Sequence, residues 1–241
     1  MAAIAELNRS RGSRAIAGAE LLSTVGWLSG VPADFRGAIL RAAVWYAATA
    51  GTEFIHAGDE RGGMFGIASG TAELSFRSEH PDTPMLHIAR TGFWAGYAPL
   101  IGRPRALSLI ARSEVVWALV PQSALERMLA ENPGWWRWLL ELSEINIEIA
   151  LLGFADMTLQ DNLKRAAAVL LRLAGCRTAD IPDADQPDLR LSQGEFAGMA
   201  GMSRNTLNAV LRDLVARGMV DCAYRHIRVV DSAGLRGLLA D

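Results

Sequence analysis

The chain has 241 residues, 51% of them apolar and 21% charged, with a formal net charge of −2. That balance excludes an intrinsically disordered chain, and the near-zero charge means that any nucleic-acid face must be a local patch. The two cysteines, Cys176 and Cys222, lie far apart with no Cys-x-x-Cys pairing, which argues against a disulfide framework and against a four-thiolate zinc or iron–sulfur site within one chain.

At the N-terminus, Arg9, Arg11 and Arg14 precede the apolar stretch Ala15–Leu28. Glu20 interrupts that stretch and no small-x-small cleavage site follows, so residues 1–14 read as a frayed tail and the protein as cytoplasmic. No apolar run approaches the ~20 residues that span a bilayer. Residues 33–48 are Ala-rich with a helical period that puts Phe35, Ile39, Leu40 and Val44 on one side.

Residues 52–120 have a different texture. Short β-type runs occur at Glu53–His56, Met64–Ala68, Thr71–Arg77, Met85–Ile88, Leu107–Ala111 and Val115–Val120. Turn signals such as Gly58-Asp59, Gly62-Gly63, Ser69-Gly70, His80-Pro81-Asp82, Thr91-Gly92 and Gly102-Arg103-Pro104 separate them. Many short strands with regular turns predict a sandwich, jelly roll or small barrel.

From Pro121 the period turns helical. Ser123–Ala130 reads as a short helix, and Asn132-Pro133 opens a longer one. In it Trp135, Trp138, Leu142, Ile145, Ile149 and Leu152 follow at spacings of 3, 4, 3, 4 and 3, a heptad seam of the kind that packs helices together. Glu141, Glu144 and Glu148 run beside it, and a second apolar set (Trp136, Leu139, Leu140, Ile147, Leu151, Phe154) points elsewhere. Two apolar faces need two partners. The seam is expected to meet the same helix of a second copy and the other set the chain's own β domain; a helix buried within one subunit is the alternative. Leu163–Ala174 is another helix, stopped by Gly175, and the turn-rich connector Thr178–Asp188 leads to a compact final module.

That module reads as helix, tight turn, helix. Ser192 and Glu195 form a capping box for a short helix over Glu195–Ala200. Gly201 breaks it, Met202 can plug the core beneath the turn, and Ser203 caps Arg204–Arg217, with Leu207, Val210, Leu211, Leu214 and Val215 facing inward. The first turn of the second helix is Ser203, Arg204, Asn205 and Thr206, with Asn208 just beyond. In such motifs these positions meet base edges in the major groove: Arg can read guanine and Asn adenine with two bonds each, while Ser203 and Thr206 suit phosphate oxygens. Met219–Cys222 and His226–Val230 make a hairpin with Tyr224, Arg225 and His226 at its tip, a wing in which Arg225 and His226 can touch the DNA backbone. Residues 192–230 hold five arginines against three carboxylates, a local charge of +2.

These motifs, taken in order, resemble the Crp/Fnr family, the cyclic-AMP receptor protein and its relatives, over about residues 33–240. The β part carries the likeness in Phe54-Ile55-His56-Ala57-Gly58-Asp59, Met64-Phe65-Gly66-Ile67-Ala68-Ser69-Gly70 and Thr91-Gly92-Phe93-Trp94-Ala95-Gly96. Leu191-Ser192-Gln193-Gly194-Glu195-Phe196-Ala197 and Met202-Ser203-Arg204-Asn205-Thr206-Leu207 carry it at the DNA end. The resemblance implies an α+β fold: a cyclic-nucleotide-binding-type β roll (jelly roll) as effector domain over residues 15–132, a dimerisation helix over 133–157 and a C-terminal winged helix-turn-helix over 158–241. It also implies a bacterial transcription regulator acting as a homodimer on double-stranded DNA, with RNA polymerase as a partner.

The likeness fails at the nucleotide pocket. The family's Gly-Glu pair reads Gly96-Tyr97 here, and its Arg-Ser or Arg-Thr pair reads Arg105-Ala106; the purine-capping positions read Ala150-Leu151. Losing several polar contacts, each worth about 1 kcal/mol, weakens binding steeply, so cyclic AMP is not the expected effector and no cofactor or metal is expected. The region around Phe93, Trp94, Tyr97, Leu100 and Ile101 suits either a less polar small effector or a pocket filled by its own side chains. In the recognition helix Asn205 stands where the receptor has Glu and Ala209 where it has a second Arg, so the half-site should change while keeping a guanine.

Other functions fit less well. A haem or gas sensor could use His56, His80 or His87. A cupin-type metal enzyme needs clustered ligands, typically two His one residue apart, and the four histidines (56, 80, 87 and 226) offer no such pair. No Gly-x-Ser-x-Gly, Walker A or His-Glu-x-x-His motif occurs. A regulator acting through protein contacts without DNA remains the alternative within the same fold.

Overall fold

A computed structural model describes residues 15–60, 62–76, 85–177 and 188–240; the expected tail, His80 and most of the connector lie outside them. The described chain divides into two compact units. The first holds residues up to 83 and 87–146, the second 84–86 and 147–241, so the division falls inside the long helix.

The first unit begins with a helix over residues 15–24 (α1), followed by α2 (Trp27–Gly30) and α3 (Ala33–Ala42). Two four-stranded antiparallel sheets come next. Strands β1 (Val44–Ala48), β8 (Val115–Pro121), β3 (Gly63–Ser69) and β6 (Trp94–Ala95) lie in that order in one sheet. The other sheet runs β2 (Glu53–Ile55), β7 (Leu107–Ala111), β4 (Ala72–Phe76) and β5 (His87–Ala89). Then follow α4 (Gln122–Glu131) and the start of α5 (Trp136–Thr158).

Strands β3 and β8 organise this unit because both their faces are buried. Side chains alternate along a strand. Met64 and Ala68 of β3 and Ala118 and Val120 of β8 therefore join a core with Leu22, Trp27, Leu28, Phe35, Ile39, Leu125, Leu139 and Leu142 from the helices. Phe65, Ile67, Val115 and Trp117 point the other way, into a second core with Ile55, Leu74, Leu109 and Ala111 of the facing sheet. Gly66 sits opposite Trp94 in the β3–β6 pairing, and the indole lies over its Cα, where any Cβ would collide with the ring.

Two expectations are corrected here. The helix expected to run to residue 48 stops at Ala42, and Val44–Ala48 pairs with β8 as strand β1. The alanines carry the helical period, but the β-branched and aromatic Val44, Trp45 and Tyr46 favour a strand, and the open edge of β8 offers them a ladder. The seam expected to meet a second copy is turned inward at its first three positions: Leu142 is buried, and Trp135 and Trp138 pack against the helix-side core. Farther along, Ile145 is exposed while Ile149 and Leu152 are half-buried. The face left open holds Trp136, Leu140, Ile147, Leu151, Phe154 and Met157, with Leu140, Leu151 and Phe154 exposed by 65%, 62% and 73%. Heptad spacing says which residues share a face; it does not say which partner that face takes.

The second unit is built on α6 (Asn162–Ala174), where every residue from Ala166 to Ala174 is buried. Asp161 caps its start and Gly175, in left-handed conformation, ends it. Helices α8 (Arg204–Ala216) and α9 (Ser232–Ala240) and strands β9 (Asp188–Leu189) and β11 (His226–Val229) surround it. A helix enclosed on all sides must satisfy its one late cation, Arg172, internally. Its Nε donates to Asp156 of α5 at 2.8 Å and its Nη1 to the Leu86 carbonyl at 3.1 Å. Arg177 lies 3.2 Å from the other Asp156 oxygen. No helix among the described residues is long and apolar enough to cross a membrane.

Asp156→Ala strands the Arg172 guanidinium in the interior and is expected to cost about 3–5 kcal/mol in urea unfolding. The paired replacement Asp156→Leu with Arg172→Met is expected to recover most of that loss. A single-variant cost below about 1 kcal/mol, the scale of an exposed pair, would contradict the burial.

Candidate nucleic-acid interface and effector site

Helix α7 (Gln193–Met199) opens with the capping box in full: the Ser192 hydroxyl accepts from the Glu195 N–H at 3.2 Å, and the Glu195 carboxylate accepts from the Ser192 N–H at 2.7 Å. Phe196, Ala197 and Met199 are buried. Gly201, at φ +57°, makes the turn, and the methyl of Met157 occupies the space a Cβ there would need. Met202 is half-buried behind it. Ser203 then caps α8, its hydroxyl accepting from the Thr206 N–H at 3.1 Å. Leu207, Val210, Leu211 and Leu214 anchor α8 inward, whereas Val215, expected among them, is 44% exposed near the helix end.

With that anchoring, the first turn of α8 faces outward. Ser203, Arg204 and Asn205 are exposed and Thr206 is half-buried, its hydroxyl 2.8 Å from that of Ser203. Arg204 has no hydrogen-bond or ion-pair partner among the described residues, unlike Arg217, which is held by both oxygens of Asp213 at 3.0 Å. Asn208 sits lower: it is half-buried, with its side-chain oxygen enclosed and unpartnered. Beyond Gly218, β10 (Val220–Ala223) pairs with β11, and Ala223 opposite His226 leaves a two-residue loop, Tyr224-Arg225. Tyr224 is 88% exposed and Arg225 is exposed. His226 is half-buried, and Arg228 pairs with Asp221 at 2.7 Å. Arg225 is the one non-glycine residue with positive φ among those described, at +58°. On β10, burial and then the Asp221 charge push the exposed Cys222 thiol up from its ordinary value, which disfavours a reactive thiolate.

The expected effector residues are differently placed. Trp94 belongs to the helix-side core, with its ring edge-on to Trp27 at 6.0 Å. Tyr97 and Leu100 pack against the same core and Phe93 against the other, while Ala106 and Ile101 are exposed. Gly96 and Arg105 do meet. At φ +95°, Gly96 leaves the space taken by the Arg105 guanidinium and the Phe65 ring. Arg105 is buried, donates to the Gly63 carbonyl at 2.6 Å and lies 5.6 Å from the Phe65 ring centre. Burial pulls its pKa below the usual arginine value, and the Asp59 carboxylate works the other way. Its Nη1 is buried without a partner. Asn146 of α5, which the sequence reading passed over, donates to the Trp94 carbonyl at 3.1 Å; a lone amide between Ile145 and Ile147 was the signal for it. His56 lies 3.3 Å from Glu53, and the rings of His87 and Phe93 meet at a tilt with their centres 6.1 Å apart.

A left-handed backbone excludes branched side chains most strongly. Arg225→Val is therefore expected to lower stability by about 1–2 kcal/mol. Arg225→Gly is expected to stay near wild type, because steric relief is offset by glycine's freedom in the unfolded chain. Equal melting temperatures for the two variants would contradict the turn.

Comparison with known proteins bears on both regions. Residues 47–132 match the model of the cyclic nucleotide-binding domain, and residues 164–238 match that of the Crp-like helix-turn-helix domain. No curated protein sequence matches the chain. Among solved structures, a CRP/FNR-family transcriptional regulator from Thermus thermophilus is similar at 22% identity and TM-score 0.56, covering 82% of this chain and 99% of its own. FixK2 from Bradyrhizobium japonicum is similar at 16% identity and TM-score 0.64, covering 81% and 96%. The c-di-GMP-responsive global regulator CLP from Xanthomonas campestris is similar at 17% identity and TM-score 0.59, covering 82% and 99%. At such identities these three show a shared fold. The two domain matches, in this order and over more than half of the residues, establish that the chain belongs to the Crp/Fnr family of transcription regulators.

Proposed function

We propose that this regulator binds a near-palindromic DNA site as a homodimer and does not use cyclic AMP as its effector. The observation that carries the DNA reading is the first turn of α8: Arg204 is exposed and unpaired beside Asn205, on a helix locked from behind by four buried apolar residues. An unpaired guanidinium at that position can give two N–H bonds to one guanine, and the Arg225 wing tip can reach the backbone. Ser203 serves the helix as its cap, so its phosphate contact would come from the hydroxyl proton.

The dimer would form along the open face of α5. Trp136, Leu140, Ser143, Ile147, Ala150, Phe154 and Met157 follow there at alternating spacings of 4 and 3, the period of a two-helix seam. A monomer would leave Leu140, Leu151 and Phe154 in water. Two copies would carry their α8 helices to half-sites one DNA turn apart, ~34–36 Å.

Against cyclic AMP stand Tyr97, where the family's ribose-binding carboxylate falls, and Ala106, where its phosphate-binding hydroxyl falls. Arg105 is already engaged with the Gly63 carbonyl, and Trp94, Tyr97 and Phe93 serve the cores, which favours a self-filled site. The unpartnered Arg105 Nη1 favours a second reading, a small effector that offers it an acceptor.

Selection from random duplex DNA, without added effector, is expected to enrich a palindrome with guanine in each half, and Arg204→Ala is expected to abolish the enrichment. No enrichment by a folded wild-type dimer would oppose an effector-free regulator and favour either a missing effector or action through protein contacts. Titration calorimetry with cyclic AMP is expected to give no heat of binding, and micromolar affinity would overturn the effector reading.

A further inference from the structure

Gly194, the second residue of α7, lies directly under the Arg204 side chain. A Cβ at Gly194 would stand 2.9 Å from Nη2, 3.2 Å from Nε and 3.3 Å from Cζ of Arg204. Nη2 and Nε both lie nearer than the central Cζ, so the Nε–Nη2 edge of the group turns toward the backbone of α7 and Nη1 points away from it. Gly194 has an α-helical conformation that any residue can adopt, and no positive φ requires glycine there. Its missing side chain matters because Arg204 occupies the space.

We infer that Gly194 is a specificity-determining position of this regulator: it leaves the space in which the Nε–Nη2 edge of Arg204 rests, so that the Nη1–Nη2 end of the guanidinium is presented in one orientation. The inference rests on the DNA reading above and deepens it. Arg204 has no carboxylate or carbonyl to fix it among the described residues, so the seat is what limits its rotamers. A long side chain fixed before contact loses less freedom on binding, and a planar group held in one plane can match one base edge. Ser192 and Glu195 hold the first turn of α7 through the capping box on either side of Gly194, which makes the seat rigid. A side chain at 194 would lift the guanidinium off the helix and release it to other orientations. The protein would still bind DNA through its backbone contacts, which carry no sequence information.

The test compares wild type, Gly194→Ala, Gly194→Leu and Arg204→Ala on two duplexes: the wild-type selected site, and the same site with the Arg204-dependent G·C pair of one half-site inverted. Wild type is expected to discriminate between them by about ten- to a hundredfold, the range of one bidentate contact. Gly194→Leu is expected to fall to the near-unity ratio of Arg204→Ala, and Gly194→Ala to lie between. For the Gly194 variants, affinity for the inverted duplex and the melting temperature should stay at wild-type values. Full discrimination by Gly194→Leu would overturn the inference. If that variant does not fold, Gly194→Ala decides: a several-fold loss supports the seat, and an unchanged ratio overturns it. A wild-type protein whose discrimination does not depend on Arg204 would overturn the DNA reading itself, and the inference with it, a failure visible before any Gly194 variant is measured.

Discussion

Each unit of this protein is organised by an element that has no face left for water. In the first it is β3 with its neighbour β8, whose alternating side chains feed two separate cores. In the second it is α6, buried from Ala166 through Ala174. An element buried on all sides dictates what must surround it. The helices α1 to α3 exist to cover one face of β3, and the facing sheet covers the other. Around α6, the helix-turn-helix and the final helix close the shell. The polar first turn of α8 is left facing outward because Leu207, Val210, Leu211 and Leu214 already satisfy this shell.

Desolvation sets three arginines apart. Arg172 is buried and must have Asp156, so it is structural. Arg105 is buried beside Gly96 with a backbone carbonyl, a ring and one N–H without a partner. Arg204 alone of the three is exposed and unpaired, and it lies close to Gly194. The residue type is the same in each case, and only the surroundings separate the three.

What the sequence made legible followed from short-range physics. Left-handed glycines such as Gly175, Gly201 and Gly218 marked helix ends and turns, and the Ser192–Glu195 box and the Ser203 cap were readable because capping depends on residues three apart. Tertiary choice was harder. Val44–Ala48 joined a sheet because β8 had an open edge, a fact far away in the chain. The heptad of Trp135, Trp138 and Leu142 was a real seam whose partner is the chain's own core, and the open seam one residue along was taken for the inner one. At the candidate interface, the outward-facing first turn of α8 was legible from the Ser203 cap that precedes it. The closeness of Gly194 to Arg204 was not legible, because it depends on how a side chain ten residues later lies. Nor was the enclosure of Asn208, which depends on how deeply α8 is set.

The central claim is that two copies of Arg204, one from each protomer, read guanine in successive major grooves. Replacing each guanine of the selected duplex in turn by 7-deazaguanine removes the N7 acceptor and leaves base pairing intact. Affinity is expected to fall at two symmetry-related guanines about one DNA turn apart, and the Arg204→Ala protein is expected to be indifferent to both. Uniform affinity at every position, or the same two sensitive guanines with Arg204→Ala, would contradict the claim.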